Sequence, residues 1–226
     1  MSVELGDEIS PEINTCVRAL EHLVERRRVP GVSETVPSFR ALLVYYDPLV
    51  VGYDELCARL RALVDEATPA ALPPSRRVEL PCCYDDDLGL DLAAVAERLG
   101  LSVDELVKLH AGADYLVYFI GFTPGLPYMS GVPERLHIAR LETPRVRVPA
   151  GSVSIGGTQC CIYSVESPGG FWILGRTPAP LYDPGAAEPI LLRPGDRVTF
   201  RAIDRAEFEA LAAGAARAGA SRPPIS

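Results

Sequence analysis

The apolar segment between Tyr115 and Pro180 carries positive charge in a chain whose formal net charge is −8, and four of its arginines are Arg140, Arg145, Arg147 and Arg176. A planar guanidinium can hold a carboxylate or a phosphate through two parallel hydrogen bonds. The pattern predicts a substrate-binding role for Arg145 and Arg176, with a solvated strand face as the open alternative for both. For Arg147 the solvated strand face is the favoured interpretation.

Three further polar residues could act on a small molecule. His110 is predicted at the end of a helix that begins with the capping box Ser102–Glu105, and histidine titrates near neutral pH. His110 is therefore the candidate for proton transfer, with a structural role in the core as the alternative. Gln159 and Tyr163 could orient a polar substrate, and the alternative for each is a half-buried side chain bonded within the protein.

Glycine and proline recur every few residues through the same segment, among large apolar side chains. Proline fixes φ and glycine tolerates positive φ, so the pattern predicts short strands joined by tight turns up to about Ile203. Adjacent glycines at 156–157 and 169–170 favour β-turns, and backbone amides that face a carbonyl or phosphate oxygen are the alternative. The candidate turn or backbone-contact glycines are Gly121, Gly125, Gly151, Gly157, Gly169 and Gly170.

Several kinds of catalytic motif do not occur in the sequence. It contains no GxxxxGK[ST] phosphate loop, no GxSxG nucleophile turn and no HExxH metal motif. Its three histidines are far apart, so no metal site is predicted. The six cysteines include two adjacent pairs and no CxxC, which favours reduced, mostly buried thiols.

Composition limits the class of protein. An apolar fraction of 48% over 226 residues suits one large globular domain or two small ones. The acidic balance argues against nucleic acid or an anionic membrane as the main partner. There is no apolar run of membrane-spanning length and no signal-peptide core at the N-terminus, so the sequence predicts a cytoplasmic protein.

Alternating strands and helices are predicted in the first third of the chain. The pattern gives a strand near Val3–Leu5, a helix from Ser10, strands at Val32–Val36 and Ala41–Tyr46, a second helix around Leu56–Leu63 and a strand at Arg77–Cys83. The order βαββαβ is that of a ferredoxin-like, split βαβ domain, and it predicts a first domain over residues 1–84.

A second domain is predicted over residues 85–204. The remaining residues, 205–226, are predicted to form a C-terminal helix at Glu207–Ala216 and a loose tail from Gly219. Two helices at about 91–99 and 102–110 open this domain and resemble a DNA-binding helix-turn-helix. The second of these helices begins with Asp104 and Glu105, whose carboxylates would repel phosphate, so a packing role is the better interpretation.

Long stretches of this sequence also resemble a known family. The runs YLVYFIGFTPGLPYMSGVPERL, PRVRVPAGSVSIGGTQ and SPGGFWILGRTP are similar to the family of the 5-oxoprolinase B subunit, also called the KipI or allophanate hydrolase subunit 1 family. Weaker similarity in ISPEIN and LLRPGDRVTF extends the resemblance to nearly the whole chain. The resemblance implies an α+β protein whose second domain is a cyclophilin-like β-barrel, and His110 matches a histidine frequent in the family.

The same resemblance implies one component of an ATP-dependent hydrolase that opens 5-oxoproline to L-glutamate. Its implied co-substrate is ATP, which Mg²⁺ can accompany, and its implied partners are the C and A subunits of 5-oxoprolinase. A carboxyltransferase-type subunit that processes allophanate or urea remains an alternative, and so does an inhibitor of a sensor histidine kinase. A peptidyl-prolyl isomerase would rest on fold alone, which does not carry function.

The sequence departs from the family pattern at Cys160-Cys161, where Thr-Gly is usual, and at Ser164, where proline is usual. Cys161 in place of glycine is expected to be the most disruptive change, since that position could require positive φ or close backbone approach. Aromatic and methionine side chains mark interfaces, so Phe122, Leu126, Tyr128 and Met129 are expected to form an exposed docking patch for the C subunit. The alternative is that these side chains fill the barrel.

Overall fold

The computed structural model describes residues 1–85 and 87–220, without the side chains of residues 71 and 216–220, and it separates into two compact units. The first unit is Met1–Ser75 and the second begins at Arg76. The division falls ahead of residue 84, where the sequence placed the end of the first domain.

A three-stranded antiparallel sheet and two helices form the first unit. Its elements are β1 (Ser2–Glu4), α1 (Pro11–Arg27), β2 (Val32–Pro37), β3 (Ala41–Tyr46) and α2 (Tyr53–Glu66), with sheet order β1-β3-β2. Helix α1 begins where Ser10 accepts a hydrogen bond from the Ile13 N–H, with Pro11 in the first turn. Apolar residues from both helices and from β3 form a separate core, including Leu20, Leu56 and Leu42.

Arg77–Cys83 is a strand, as predicted, but it does not belong to the first sheet. It is strand β4 of the barrel in the second unit, where it pairs with β12 (Arg197–Ile203). The first unit therefore has three of the four strands of the predicted βαββαβ order. The placement of Arg77–Cys83 in the first domain is corrected by this pairing.

The second unit is built around a closed seven-stranded barrel of order β11-β4-β12-β5-β6-β9-β8, with β8 pairing β11. The remaining elements of this unit are α3 (Leu92–Leu99), α4 (Val103–Ala111), β5 (Tyr115–Ile120), β6 (Pro127–Ser130), β7 (Arg145–Val148), β8 (Ser152–Gly156), β9 (Gln159–Ile162), β10 (Ser167–Gly169), β11 (Trp172–Arg176) and α5 (Arg205–Ala220). Strands β4 and β12 are parallel neighbours, and β7 with β10 forms a separate two-stranded sheet. The mixed α+β class is confirmed.

Helices α3 and α4 are packing elements, as the acidic start of α4 suggested. Helix α4 has the predicted capping box, in which Ser102 and Glu105 exchange hydrogen bonds between side chain and backbone. Leu92, Val95 and Leu106 are buried in the same core cluster as the barrel interior. This packing fixes both helices against the barrel.

The C-terminal helix α5 contains the predicted segment Glu207–Ala216 and continues to Ala220. The predicted loose tail from Gly219 therefore overlaps the end of this helix, and its remaining residues, 221–226, lie outside the described part of the chain. No helix within the described residues is both long enough and apolar enough to cross a membrane.

Candidate functional site

Strand β9 separates the barrel core from a second apolar layer. Cys160 and Ile162 belong to the core cluster inside the barrel, whereas Cys161 and Tyr163 belong to a cluster on its other side. Side chains alternate along a strand, so Gln159 shares the side of Cys161 and Tyr163. We call this side the outer face, comprising Tyr128, Gln159, Cys161, Tyr163, Phe171 and Ile173.

Arg140 lies over the outer face. Its guanidinium carbon is 4.5 Å from the centre of the Phe171 ring, a cation–π distance, and its Nη2 donates a hydrogen bond of 3.1 Å to Gln159 Oε1. Within the described residues, no aspartate or glutamate forms an ion pair with Arg140. The guanidinium is exposed to solvent, so it can receive an anion from outside.

Gly156 makes room for this arrangement. A Cβ at Gly156 would lie 3.0 Å from both Arg140 Cγ and Phe171 Cδ1, closer than ordinary van der Waals contact. The arginine stem and the aromatic ring therefore rest directly on the strand backbone. A side chain at this position would displace the pair that forms the edge of the outer face.

Aromatic rings continue the outer face beyond Phe171. The Tyr128 and Phe171 rings meet edge to face at 6.5 Å, and Tyr128 stacks on Phe119 at 4.8 Å. Burial raises the pKa of Tyr128, and the nearby charge of Arg140 partly opposes that shift. The outer face thus combines a cation that has no carboxylate partner with packed aromatic rings, of which Tyr128 is half-buried and Phe171 is buried.

The contacts of Tyr163 favour the second interpretation given above, a side chain bonded within the protein, over a role in orienting a substrate. The side chain is buried, and its hydroxyl accepts a hydrogen bond from the Phe171 backbone. The ring lies so close to Gly169 that a Cβ there would collide with it. Burial raises the pKa of Tyr163, so the phenol stays protonated and supports the outer face from beneath.

Arg145 is held by Asp91, which precedes α3. Arg145 Nη2 lies 2.5 Å from Asp91 Oδ1, while Asp91 Oδ2 accepts the Ile173 backbone N–H at 2.7 Å. Arg145 Nη1 is buried and has no hydrogen-bond partner among the described residues. This network ties α3, β7 and β11 together, and it does not contact Arg140 or Gln159 in any hydrogen bond or ion pair of the described residues.

Arg176 and Arg147 also have partners within the chain. Arg176 Nε donates a hydrogen bond of 2.7 Å to the Ala150 carbonyl, and its stem packs on Gly151. Arg147 forms an exposed ion pair of 2.6 Å with Glu166. The solvated strand face that was favoured for Arg147 is confirmed.

His110 is enclosed in the barrel core with no exposed surface. Its Nδ1 lies 2.8 Å from the Tyr84 hydroxyl, its Nε2 lies 3.9 Å from Cys160 Sγ, and its ring stacks on Phe200 at 4.8 Å. Desolvation lowers the pKa of His110 to about 3, so the ring is neutral near pH 7. These contacts are those of a core histidine, the alternative considered above.

The candidate glycines serve different purposes. Gly125, Gly151 and Gly157 have positive φ, and Gly125 and Gly151 also touch neighbouring backbone. Gly169 allows the close approach of Tyr163, whereas a Cβ on Gly121 or Gly170 would make only ordinary contacts.

Cys160 and Cys161, which stand where the family usually has Thr-Gly, have buried and protonated thiols. Burial raises the pKa of Cys160 well above its usual value and that of Cys161 to about 12. The expected disruption at Cys161 is not found, because this residue lies in regular strand pairing opposite Tyr128 and Ser154. The non-glycine residues with positive φ among those described are Arg28 and Phe122.

The expected docking patch is only partly exposed. Phe122 is 64% exposed, but Leu126 packs in the outer cluster and Met129 is buried in the barrel core. The expectation that all four side chains are exposed is wrong, since residues 126–129 enter strand β6 and alternate between the two apolar layers.

The sequence pattern places Arg140 beside Arg145, Arg147 and Arg176 but indicates no site for it, and it gives no sign of a role for Phe171 or Asp91. Arg140 differs from Arg145 and Arg147 because it has no carboxylate partner, and from Arg176 because it is bound to Gln159 over the Phe171 ring; both differences depend on tertiary contacts. Among the described residues, no cluster of three or more histidine, cysteine, aspartate or glutamate side chains could hold a metal ion.

Comparison with known proteins decides the family. Residues 1–192 match the family described as carboxyltransferase domain, subdomain C and D. The chain is 34% identical over 220 residues to the 5-oxoprolinase B subunit of Bacillus subtilis strain 168, covering 93% of this chain and 92% of that protein. It is 42% identical over 184 residues to the 5-oxoprolinase B subunit of Escherichia coli O157:H7, covering 81% and 82% of the two chains.

The chain belongs to the family of the 5-oxoprolinase B subunit. Among solved structures, TTHA0988 is similar with a TM-score of 0.80 and 38% identity over 90% of this chain, and this chain spans 40% of the length of that one. The urea amidolyase of K. lactis shares the fold, with a TM-score of 0.77 and 24% identity over 92% of this chain and 14% of that chain. The family recognised in the sequence is thus confirmed, and the fold is shared with a much larger enzyme.

Proposed function

We propose that this chain is one component of an ATP-dependent 5-oxoprolinase, which opens 5-oxoproline to L-glutamate together with the C and A subunits. The observation that carries the proposal is the similarity to two 5-oxoprolinase B subunits over more than four fifths of each chain. Similarity over that length applies to the whole subunit and not to one shared module.

The chemistry of the lactam explains the coupling to ATP. An unstrained amide is a poor electrophile, so water attacks it slowly. Transfer of a phosphoryl group from ATP to the lactam oxygen would make the carbonyl carbon more electrophilic. Addition of water to that carbon and cleavage of its bond to nitrogen would then open the ring to an acyl phosphate, and a second water would hydrolyse this to glutamate and phosphate. Hydrolysis of ATP to ADP and phosphate accompanies the reaction.

The residues of this chain fit the organic substrate better than the nucleotide. Gly156 and Gly157 join β8 to β9, and Gly169-Gly170 connects β10 to β11, so neither pair opens a helix as a phosphate loop does. We therefore assign no step that involves ATP or Mg²⁺ to this chain. Arg140 and the aromatic outer face can instead bind and orient a small anion.

Reconstitution tests the proposal. The purified chain, the C and A subunits, and the complete mixture are each supplied with 5-oxoproline and ATP, and released glutamate and ADP are measured. We expect little release from the chain alone and sustained, equimolar release from the mixture, with no glutamate when ATP is omitted. Full turnover by the lone chain, or none by the mixture, would contradict the proposal.

A carboxyltransferase-type subunit that acts on urea or allophanate is the second candidate, favoured by 28% sequence identity over 201 residues to a putative urea carboxylase of Emericella nidulans. The same mixture supplied with urea or allophanate separates the two. Consumption of either compound without release of glutamate from 5-oxoproline would favour the second candidate.

A further inference from the structure

Arg140 carries a charge that nothing in the described part of the chain neutralises. By contrast, Arg145 is bound to Asp91, Arg147 to Glu166 and Arg176 to the Ala150 carbonyl. In a protein of net charge −8, an exposed guanidinium without an acidic partner is a suitable receptor for an anion from solution.

The surroundings of Arg140 limit how the guanidinium can move. Its side chain is held by the Phe171 ring on one side and by Gln159 Oε1 at its tip. A receptor that is already ordered loses less conformational entropy when it binds its ligand. Gln159 uses its oxygen for Arg140, which leaves the amide nitrogen as a second donor beside the guanidinium.

The remainder of the outer face is suited to a ring and not to a long charged chain. Tyr128 is half-buried and presents aromatic surface within reach of the charge of Arg140, whereas Phe171 is buried beneath the guanidinium and supports it. One guanidinium pairs well with one carboxylate, whereas a polyanion requires several cations.

We infer that the outer face binds a small cyclic monocarboxylate, with Arg140 and the Gln159 amide holding the carboxylate, with Tyr128 contacting the ring, and with the buried Phe171 supporting the guanidinium from beneath. The identification of the ligand as 5-oxoproline rests on the proposed function. The ability of the outer face to bind a carboxylate rests only on the contacts of Arg140. Gly156 is part of the site because it lets Arg140 and Phe171 lie against the strand.

The first experiment measures binding to the full-length chain by calorimetry with three probes: 5-oxoproline, its neutral carboxamide 5-oxoprolinamide, and inorganic phosphate. The variants are Arg140→Ala and Arg140→Lys. Arg98→Ala is the matched control, because Arg98 is also exposed and also lies over an aromatic ring, 5.0 Å from the centre of Trp172. Melting temperatures show that each variant is folded.

We expect wild type and Arg98→Ala to bind 5-oxoproline and to bind 5-oxoprolinamide at least tenfold more weakly. Arg140→Ala should lose at least tenfold in affinity for 5-oxoproline, and Arg140→Lys should fall between because it keeps the charge but not the two-pronged geometry. The inference is overturned if the wild-type chain does not bind 5-oxoproline, if the carboxamide binds equally well, if phosphate binds better than 5-oxoproline, or if Arg140→Ala binds like wild type.

The second experiment measures KM and kcat of the reconstituted mixture. Glutamate release with a KM unchanged by Arg140→Ala would refute the inference and leave the proposed function intact. Arg140-dependent binding of 5-oxoproline in a mixture that releases no glutamate would refute the proposed function and leave the binding site intact.

Discussion

Asp91 and Arg145 form a short ion pair in which the carboxylate is nearly buried and the guanidinium is partly exposed. Their atoms approach to 2.5 Å, and the side chains are 7% and 30% exposed. The same carboxylate accepts a hydrogen bond from the Ile173 backbone N–H. Asp91, which directly precedes α3, is therefore bound both to β7 of the two-stranded sheet and to β11 of the barrel.

Arg145→Ala should lower the stability of the second unit by about 3 kcal/mol, because it leaves the buried Asp91 carboxylate without its cation. Arg147→Ala is the matched control: its pair with Glu166 is exposed, and its loss should cost about 0–1 kcal/mol. Urea unfolding of both variants gives the comparison. Equal destabilisation would contradict the assignment of Arg145 to a structural network.

His110 should make stability depend on pH. Its pKa is about 3 in the folded chain and about 6.5 when unfolded, so only the unfolded chain takes up its proton between these values. The free energy of unfolding should therefore fall by about 1.4 kcal/mol per pH unit below pH 6.5, with no contribution above it.

His110→Gln removes the titrating group and should flatten this dependence. Unfolding of wild type and variant at pH 7 and pH 5 gives the difference in slope, and the other titrating groups are common to both proteins. An identical slope in the two proteins would show that His110 is not held neutral in the core.

Phe122 should contribute to binding the C subunit without supporting the fold. It is exposed and has φ of +67°, a conformation that costs a non-glycine residue energy. Phe122→Gly should keep or raise the melting temperature while it weakens co-purification with the C subunit. Leu49→Ala, which removes an even more exposed apolar side chain from the first unit, controls for general loss of apolar surface. Undiminished complex formation by folded Phe122→Gly would remove Phe122 from the interface.

Arg176→Lys distinguishes a structural from a substrate-binding arginine. Loss of the bond from Nε to the Ala150 carbonyl should cost about 1.5 kcal/mol. We expect a lower melting temperature with an unchanged KM for 5-oxoproline in the reconstituted mixture. A clear rise in KM at unchanged stability would instead restore the role that the sequence suggested.

Local signals in the sequence predicted the local structure well. The capping box at Ser102 and the Ser10-Pro11 start gave the helices, because a helix terminus is set by residues within one turn. Strand β4 was also recognised, but its partner β12 is 120 residues further along the chain. A pairing at that separation has no local signature, so the strand was assigned to the wrong sheet.

The candidate site was harder to predict for the same reason. Gln159 was selected from the motif, yet the residue that gives it a role is Arg140, and both matter through their geometry over Phe171. The chemistry of histidine makes His110 a candidate for proton transfer, while its burial depends on packing against Phe200 in β12, far along the chain. Residue type indicated what a side chain can do, and only packing showed which side chains can reach a ligand.

The position of β12 also sets the order of events during synthesis. Strand β12 lies between β4 and β5 in the barrel and is the last barrel strand in the sequence. The barrel therefore remains open until residue 203 has been translated. At about 5–20 residues per second, β4 waits on the order of ten seconds for its parallel neighbour. During that interval the core-facing residues of the nascent second unit are a natural substrate for chaperones, whereas the first unit already has all the residues of its own core.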